Sequence, residues 1–159
     1  MFIHFQFDRD SYNEWSMEKP ENDSVIRFEK ESFVPHKPTD YQNLRLTDWK
    51  TSSLYFNYFK FISILIFIYL SINQFKKVLK SVSKLETFQR TNVRAFRKIG
   101  YYCSLIAGLS FFSYWEFNYY SKNSISISLN ILLIALLAFI LAEIFKEGNN
   151  LMEENQLTV

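Results

Sequence analysis

Few side chains in this sequence are suited to catalysis or metal binding, and they are widely spaced. The histidines, His4 and His36, lie in the polar N-terminal part, and neither has a cysteine nearby or a second histidine at helical ligand spacing. The single cysteine, Cys103, lies inside an apolar run, which excludes an intrachain disulfide and favours a packing role. With no nucleophile–base pair, metal cluster or phosphate loop, we expect no enzyme and no cofactor.

Two charged residues, Lys60 and Glu116, interrupt apolar runs that otherwise carry no charge. A charge inside a membrane span can mark an ion or proton path, so a transporter or channel subunit working as a homo-oligomer is an alternative function. We favour an interfacial position, in which each side chain reaches the lipid headgroups or the two pair across adjacent antiparallel helices.

Three apolar runs are the elements that must position these residues: 54–72, 101–120 and 127–142. A helix rises about 1.5 Å per residue, so ~20 residues cover the ~30 Å hydrocarbon layer. The third run is short, but Ile144 and Phe145 extend it beyond Glu143. Three such runs leave too little polar chain to cover them in a soluble fold. The sequence therefore predicts an all-α membrane protein, a three-transmembrane-helix bundle over residues 52–159.

Charge orients the bundle. The linker 74–100 carries eight of the eighteen cations and a lone carboxylate, Glu86, whereas the turn between the second and third runs carries only Lys122. The positive-inside rule places the linker and the tail 147–159 in the cytoplasm of a multi-pass protein, and residues 1–51 outside.

The polar segment 1–51 then has to be translocated. No apolar segment precedes it, so either it crosses unaided or a fourth, N-terminal helix is missing from this chain. The alternation in FIHFQFD and VIRFEKESFVP predicts a segment of mixed strand and loop.

The linker begins as a continuation of the first span. Apolar residues from Phe75 to Leu85 recur at helical spacing, and the lysines on the other faces would lie against anionic lipid headgroups. Since no aromatic stacking platform or helix-turn-helix pattern accompanies these cations, we expect no direct nucleic-acid binding.

The tail keeps an apolar stripe at helical spacing through Gly148 to Leu151 and Met152. The stripe favours a continued helix over a helix end at Gly148 followed by a loose tail. Counting depth from the outer turn puts Gly100 and Gly148 at the same level on neighbouring helices, where missing side chains would let the backbones approach.

The glutamates of the tail leave the membrane beside the cations of the linker. We expect the tail to dock on the linker as a small cytoplasmic platform, held mainly by apolar contacts of Phe88, Phe96, Leu151 and Leu157. The platform residues are Phe88, Asn92, Arg94, Arg97, Leu151, Glu153, Glu154, Asn155, Leu157 and Thr158.

Two motifs, LETFQRTNVRAFRKIGYY and LAEIFKEGNNLMEENQLTV, resemble a family of small bacterial membrane proteins catalogued as domain of unknown function 2975. The matching positions are Phe88, Asn92, Arg94, Ile99, Gly100, Phe145, Gly148, Leu151, Glu154, Asn155, Leu157, Thr158 and Val159.

The resemblance implies four membrane helices with an extracytoplasmic segment between the first two, which fits a missing N-terminal helix. It also implies the bacterial inner membrane as location. Family members are often encoded beside a small Cro-type helix-turn-helix regulator. The function we expect is therefore a non-enzymatic membrane partner or sensor that regulates such a transcription factor.

Overall fold

The computed structural model describes residues 2–18, 26–33, 43–84 and 88–157, with side chains for 2–17, 26–33, 44–84 and 88–155. Its elements in chain order are α1 (Phe2–Phe7), β1 (Ser16–Glu18), β2 (Ile26–Phe33), β3 (Asn43–Arg45), α2 (Thr51–Ser83), α3 (Arg90–Phe111), β4 (Phe112–Glu116), β5 (Tyr120–Ile127) and α4 (Leu129–Leu157). Short 3-10 turns lie at Asp10–Tyr12 and Leu46–Asp48. The described chain is thus mostly helical.

The chain divides into two compact units. The first comprises Met1–Lys60 and Phe112–Ile127, and the second comprises Phe61–Phe111 and Ser128–Val159. The long helix α2 contributes its first ten residues to the first unit and its remainder to the second.

An antiparallel sheet in the order β2-β5-β4 organises the first unit. Its register places Glu29 of β2 opposite Ser124 of β5, and Glu31 opposite Lys122. Since residues directly opposite share a face, the two glutamates and Lys122 lie on the same side of the sheet. The alternation in VIRFEKESFVP is therefore confirmed as strand over residues 26–33.

A charged network runs across this face of the sheet. The Lys122 side chain is only 6% exposed, and its ammonium lies 3.2 Å from a Glu29 carboxylate oxygen and 3.4 Å from one of Glu31. The Tyr120 hydroxyl donates a 3.0 Å hydrogen bond to Glu31, and burial together with that carboxylate raises the pKa of Tyr120. The strands are thus joined by side-chain charge as well as by the backbone ladder.

The segment FIHFQFD is a short helix, α1, and its predicted strand is wrong. Phe2 and Phe5 are three residues apart and share one helical face. The Phe2 ring stacks on Tyr58 of α2, and the buried Phe5 contacts Tyr12. The helix thus directs Phe2 toward α2 and Phe5 toward the turn at Tyr12.

Within the described residues, two helices are long and apolar enough to cross a membrane: α2 over Thr51–Ser83 and α4 over Leu129–Asn155. Their apolar side chains are largely exposed, Phe59 at 72% and Leu137 at 58% among them. A helix at the core of a soluble protein would instead be mostly buried. The continuation of the first span into the linker is confirmed as far as Ser83.

The second predicted span, 101–120, is not confirmed as a helix crossing. Helix α3 ends at Phe111, and Phe112–Glu116 is strand β4, which pairs with β5. The aromatic residues of FSYWE make this stretch resemble an interfacial helix end. They are equally good strand formers, and here β5 supplies the partner.

The buried ammonium generates a prediction for the sheet. Replacing Lys122 by alanine removes the cation between the neighbouring carboxylates Glu29 and Glu31 and leaves Glu29 paired with Arg27 alone. We therefore expect a loss of roughly 1–3 kcal/mol in the stability of the sheet. Tryptophan fluorescence during thermal unfolding measures this, because Trp115 of β4 stacks on Trp49.

The control is Lys30→Ala, which removes an exposed cation from the neighbouring strand β2. We expect this variant to unfold within error of the unaltered chain. Equal effects of the two substitutions would contradict the account of the network.

Candidate functional site

Helices α3 and α4 pack against each other through small side chains. Ala135, Ala138 and Ala142 of α4 are buried, and Ala142 has no exposed surface. On the facing helix, Ala95 and Phe96 are buried, and they form a core with Ala142 and with Val78 of α2. Small residues at helix contacts let backbones approach closely, which is the usual way that membrane helices associate.

Each of the two predicted packing glycines receives an aromatic ring. A methyl group added at Gly100 of α3 would lie 2.7 Å from the ring of Phe139 on α4. A methyl group added at Gly148 of α4 would collide with the ring of Phe88, which precedes α3. The two contacts are reciprocal, since each segment supplies one glycine and one ring.

The prediction that Gly100 and Gly148 lie at the same level is wrong. Gly100 faces Phe139, which precedes Gly148 by more than two helical turns or about 13 Å along α4. The predicted level requires α3 to continue as a helix to the end of the second apolar run at residue 120. Because Phe112–Glu116 and Tyr120–Ile127 are strands instead, α3 ends earlier and its register against α4 shifts.

The end of α4 docks on the start of α3, as predicted. The helix continues through Gly148 to Leu157. The Arg90 guanidinium donates to both oxygens of Glu153, at 3.0 and 2.9 Å, and Arg97 donates to Glu143 at 2.7 Å. We call the part of α4 from residue 147 to 157 the arm.

Apolar contact also holds α4 just before the arm, although fewer of the predicted residues take part. The rings of Phe88 and Phe96 both lie against Phe145, with centroids 5.7 and 5.0 Å apart. Leu151 is 55% exposed, so its predicted holding role is wrong. The predicted packing stripe is partly outward, because α4 buries its alanines instead.

Other predicted platform residues occupy different places. Glu154 and Asn155 are exposed on the arm. The side chain of Leu157 and the whole of Thr158 lie outside the described residues. The predicted platform is therefore reduced to the neighbourhood of Phe88, Arg90 and Glu153.

Asn92 has a role that the sequence did not reveal. Its side chain is only 2% exposed, and its Nδ2 donates a 2.9 Å hydrogen bond to Ser81 Oγ of α2. A buried amide must be hydrogen-bonded, so this contact fixes the start of α3 against the end of α2. The residue holds the linker together and is not part of an exposed platform.

Beside Asn92, the end of α2 and the start of α3 enclose a basic groove of about 390 Å³. Its lining cations are Lys77, Lys80, Lys84, Arg94 and Lys98, and its neutral polar residues are Gln74, Ser81, Gln89, Thr91 and Asn92. No carboxylate lines the groove among the residues that the structure describes. The sequence indicated lysines beside lipid headgroups, but it did not reveal that Arg94 and Lys98 form a second wall.

Lys60 and Glu116 do not pair with each other. The Lys60 ammonium donates to the Phe112 carbonyl at 2.8 Å and to Ser113 Oγ at 3.0 Å. Glu116 lies on strand β4, where it accepts hydrogen bonds from Lys50 at 2.6 Å and from the Tyr114 hydroxyl. The Lys50 ammonium, and then Tyr114, lower the pKa of Glu116. Their role in transport stays a prediction.

Groups of three or more potential metal ligands are absent from the described part of the chain. Of the histidines, His4 lies within hydrogen-bond distance of the Tyr12 hydroxyl, and His36 lies outside the described residues.

The glycine contacts generate a prediction about stability. Gly100→Ala should lower the thermal stability of the chain in detergent, because the new methyl group must displace the Phe139 ring. Gly108→Ala is the matched control on the same helix, since nothing lies within 4 Å of a methyl group there. Alanine is the better helix former, so the control should be neutral or stabilising by up to about 1 kcal/mol.

A double-mutant cycle isolates the contact. In a Phe139→Ala background the ring is gone, so Gly100→Ala should no longer destabilise. An unchanged penalty in that background would show that the ring does not occupy the space above Gly100.

The comparisons with known proteins agree with the sequence motifs. The family model described as "Protein of unknown function (DUF2975)" matches residues 33–159. Neither a curated protein nor a solved structure matches the chain. The match covers well over half of the sequence and includes both the start of α3 and the arm, so the chain belongs to the DUF2975 family.

Proposed function

We propose that this chain is a non-enzymatic, multi-pass protein of the bacterial inner membrane whose arm holds a cytoplasmic helix-turn-helix regulator. The observation that carries the proposal is the arm itself. It is a helix fixed by Arg90 and Phe88, and it exposes two apolar side chains, Leu151 at 55% and Met152 at 47%.

Membrane insertion is supported by three matched helices. The uncharged stretches 61–75, 99–111 and 129–142 of α2, α3 and α4 each cover roughly 20 Å, and flanking residues with long side chains would extend each span toward the ~30 Å hydrocarbon layer. The uncharged stretches of α3 and α4 end at the same level, because Arg97 and Glu143, which lie just beyond them, form an ion pair. These matched lengths favour a three-helix bundle with α3 as its third span, although the charged first half of α3 lowers the mean hydropathy of that helix.

The orientation follows from charge. The cations of residues 76–98 favour the cytoplasmic side, which places the arm there and residues 1–51 outside. A regulator that binds DNA is then accessible to the arm.

The partner chemistry follows from the charges around the apolar pair. Glu147 and Glu154 are exposed and flank Leu151 and Met152 on the arm. DNA-binding proteins carry a basic face, to which an acidic helix with an apolar centre is complementary. Binding of that face would keep the regulator from DNA. The family resemblance implies a partner of this class.

Release requires a second packing of the helices. The rings of Phe88 and Phe139 either occupy the spaces above Gly148 and Gly100 or leave them, and leaving frees the arm from α3. A signal, whether an outside ligand or a lipid change, can drive this only by binding one packing more tightly than the other.

The test is recovery of cytoplasmic partners from cells that express the chain. Leu151→Ser with Met152→Ser should abolish co-purification of a DNA-binding protein while leaving membrane insertion intact, because the two substitutions lie on exposed positions. The matched control is Ile3→Ser with Phe7→Ser, which removes two exposed apolar side chains from α1.

We expect the control to keep the partner. Recovery of the same DNA-binding protein with the arm variant, or recovery of none with the unaltered chain, would contradict the proposal.

A further inference from the structure

We propose that the basic groove between α2 and α3 binds the phosphate group of a phosphate ester, presented by the headgroup of an anionic phospholipid. The proposal goes beyond the regulator function; its lipid source rests on the proposed membrane insertion, but not on the regulator. It rests on the charge, the size and the position of the groove.

Charge selects an anion. The cations on α2 are Lys77, Lys80 and Lys84, and those on α3 are Arg94 and Lys98. These cations line the same groove from two helices, so they repel one another there. A bound anion would neutralise that repulsion. The Asn92–Ser81 hydrogen bond keeps the walls together despite that repulsion.

The neutral lining residues favour a phosphate ester with hydroxyl groups over a bare ion. The volume of about 390 Å³ is several times that of one phosphate group, and it suits a small polar ligand. Gln74 and Gln89 add amide groups that both donate and accept hydrogen bonds, as a glycerol headgroup would require. Helix α3 begins at Arg90, so the positive end of its dipole also lies at the groove.

Position favours a lipid as the source. Helix α2 is uncharged from Phe61 to Phe75 and basic after it. Helix α3 is basic up to Lys98 and uncharged from Ile99 onward. The groove therefore lies where both helices leave their apolar stretches. In a membrane this is the depth of the lipid phosphates. Lysine and arginine side chains at the ends of apolar helices reach that depth and are attracted to anionic headgroups.

The test compares ligand sources with the full-length chain in detergent. Native mass spectrometry counts bound phosphatidylglycerol against phosphatidylcholine, and thermal shift assays use glycerol phosphate and inorganic phosphate as soluble probes. We expect retention of one phosphatidylglycerol, and a smaller stabilisation by glycerol phosphate at much higher concentration.

The double variant Lys80→Gln with Lys98→Gln removes one cation from each wall. We expect its affinity for phosphatidylglycerol to fall roughly 25-fold, about fivefold for each lysine. The charge-matched control is Lys76→Gln with Lys30→Gln, since neither lysine lines the groove. The control should retain the lipid, and Lys80→Arg with Lys98→Arg should restore most of the binding.

Three results would overturn the proposal. Equal losses in the groove variant and the control would indicate diffuse attraction to anionic lipid. Binding of inorganic phosphate without any preference for phosphatidylglycerol would refute the lipid source. No retained phosphate ester of either kind would refute the site.

Discussion

The second unit depends on one reciprocal contact between α3 and α4. The Phe139 ring occupies the space above Gly100, and the Phe88 ring occupies the space above Gly148. An aromatic ring fits over a helix backbone only where the side chain is missing, so the two contacts together allow a single register. Within that register the alanines of α4 bury against α3, while the large apolar side chains of α4 face outward.

The register also determines which charged residues of α3 and α4 form ion pairs. It places Arg97 beside Glu143 and Arg90 beside Glu153, so the arm is held along the start of α3. Exposed ion pairs of this kind contribute little on their own, and the ring contacts with Phe145 supply the packing. With these cations occupied by α4, Arg94 and Lys98 are the ones that line the groove toward α2.

The sequence predicted the features that depend on local pattern. The continued helix through Gly148 and the pairing of linker cations with arm glutamates both follow from helical spacing and charge. It failed where strand pairing decides the structure. Strand β4 pairs with β5 in a hairpin, and β5 pairs in turn with β2, which lies about ninety residues earlier in the chain. No pattern around Tyr114 reveals the sheet to which that residue belongs. The error in the glycine level followed directly from this missed strand.

A second failure came from the rule that apolar stripes face inward. In α4 the stripe of Leu141, Ile144 and Leu151 is largely exposed, whereas Ala142 is fully buried. That inversion is expected of helices surrounded by lipid, where large apolar side chains gain nothing from burial and small ones allow close packing. The same inversion explains why the sequence placed Leu151 in a core that it does not join.

The register itself is open to a direct measurement by cysteine crosslinking in native membranes, with Cys103→Ser removing the natural thiol. The structure predicts that Arg97→Cys and Glu143→Cys are joined by a short bifunctional thiol reagent. It predicts that Arg97→Cys and Leu151→Cys, roughly 12 Å farther along α4, are not. Crosslinking of the second pair in preference to the first would contradict the register and, with it, the account of the arm and the groove.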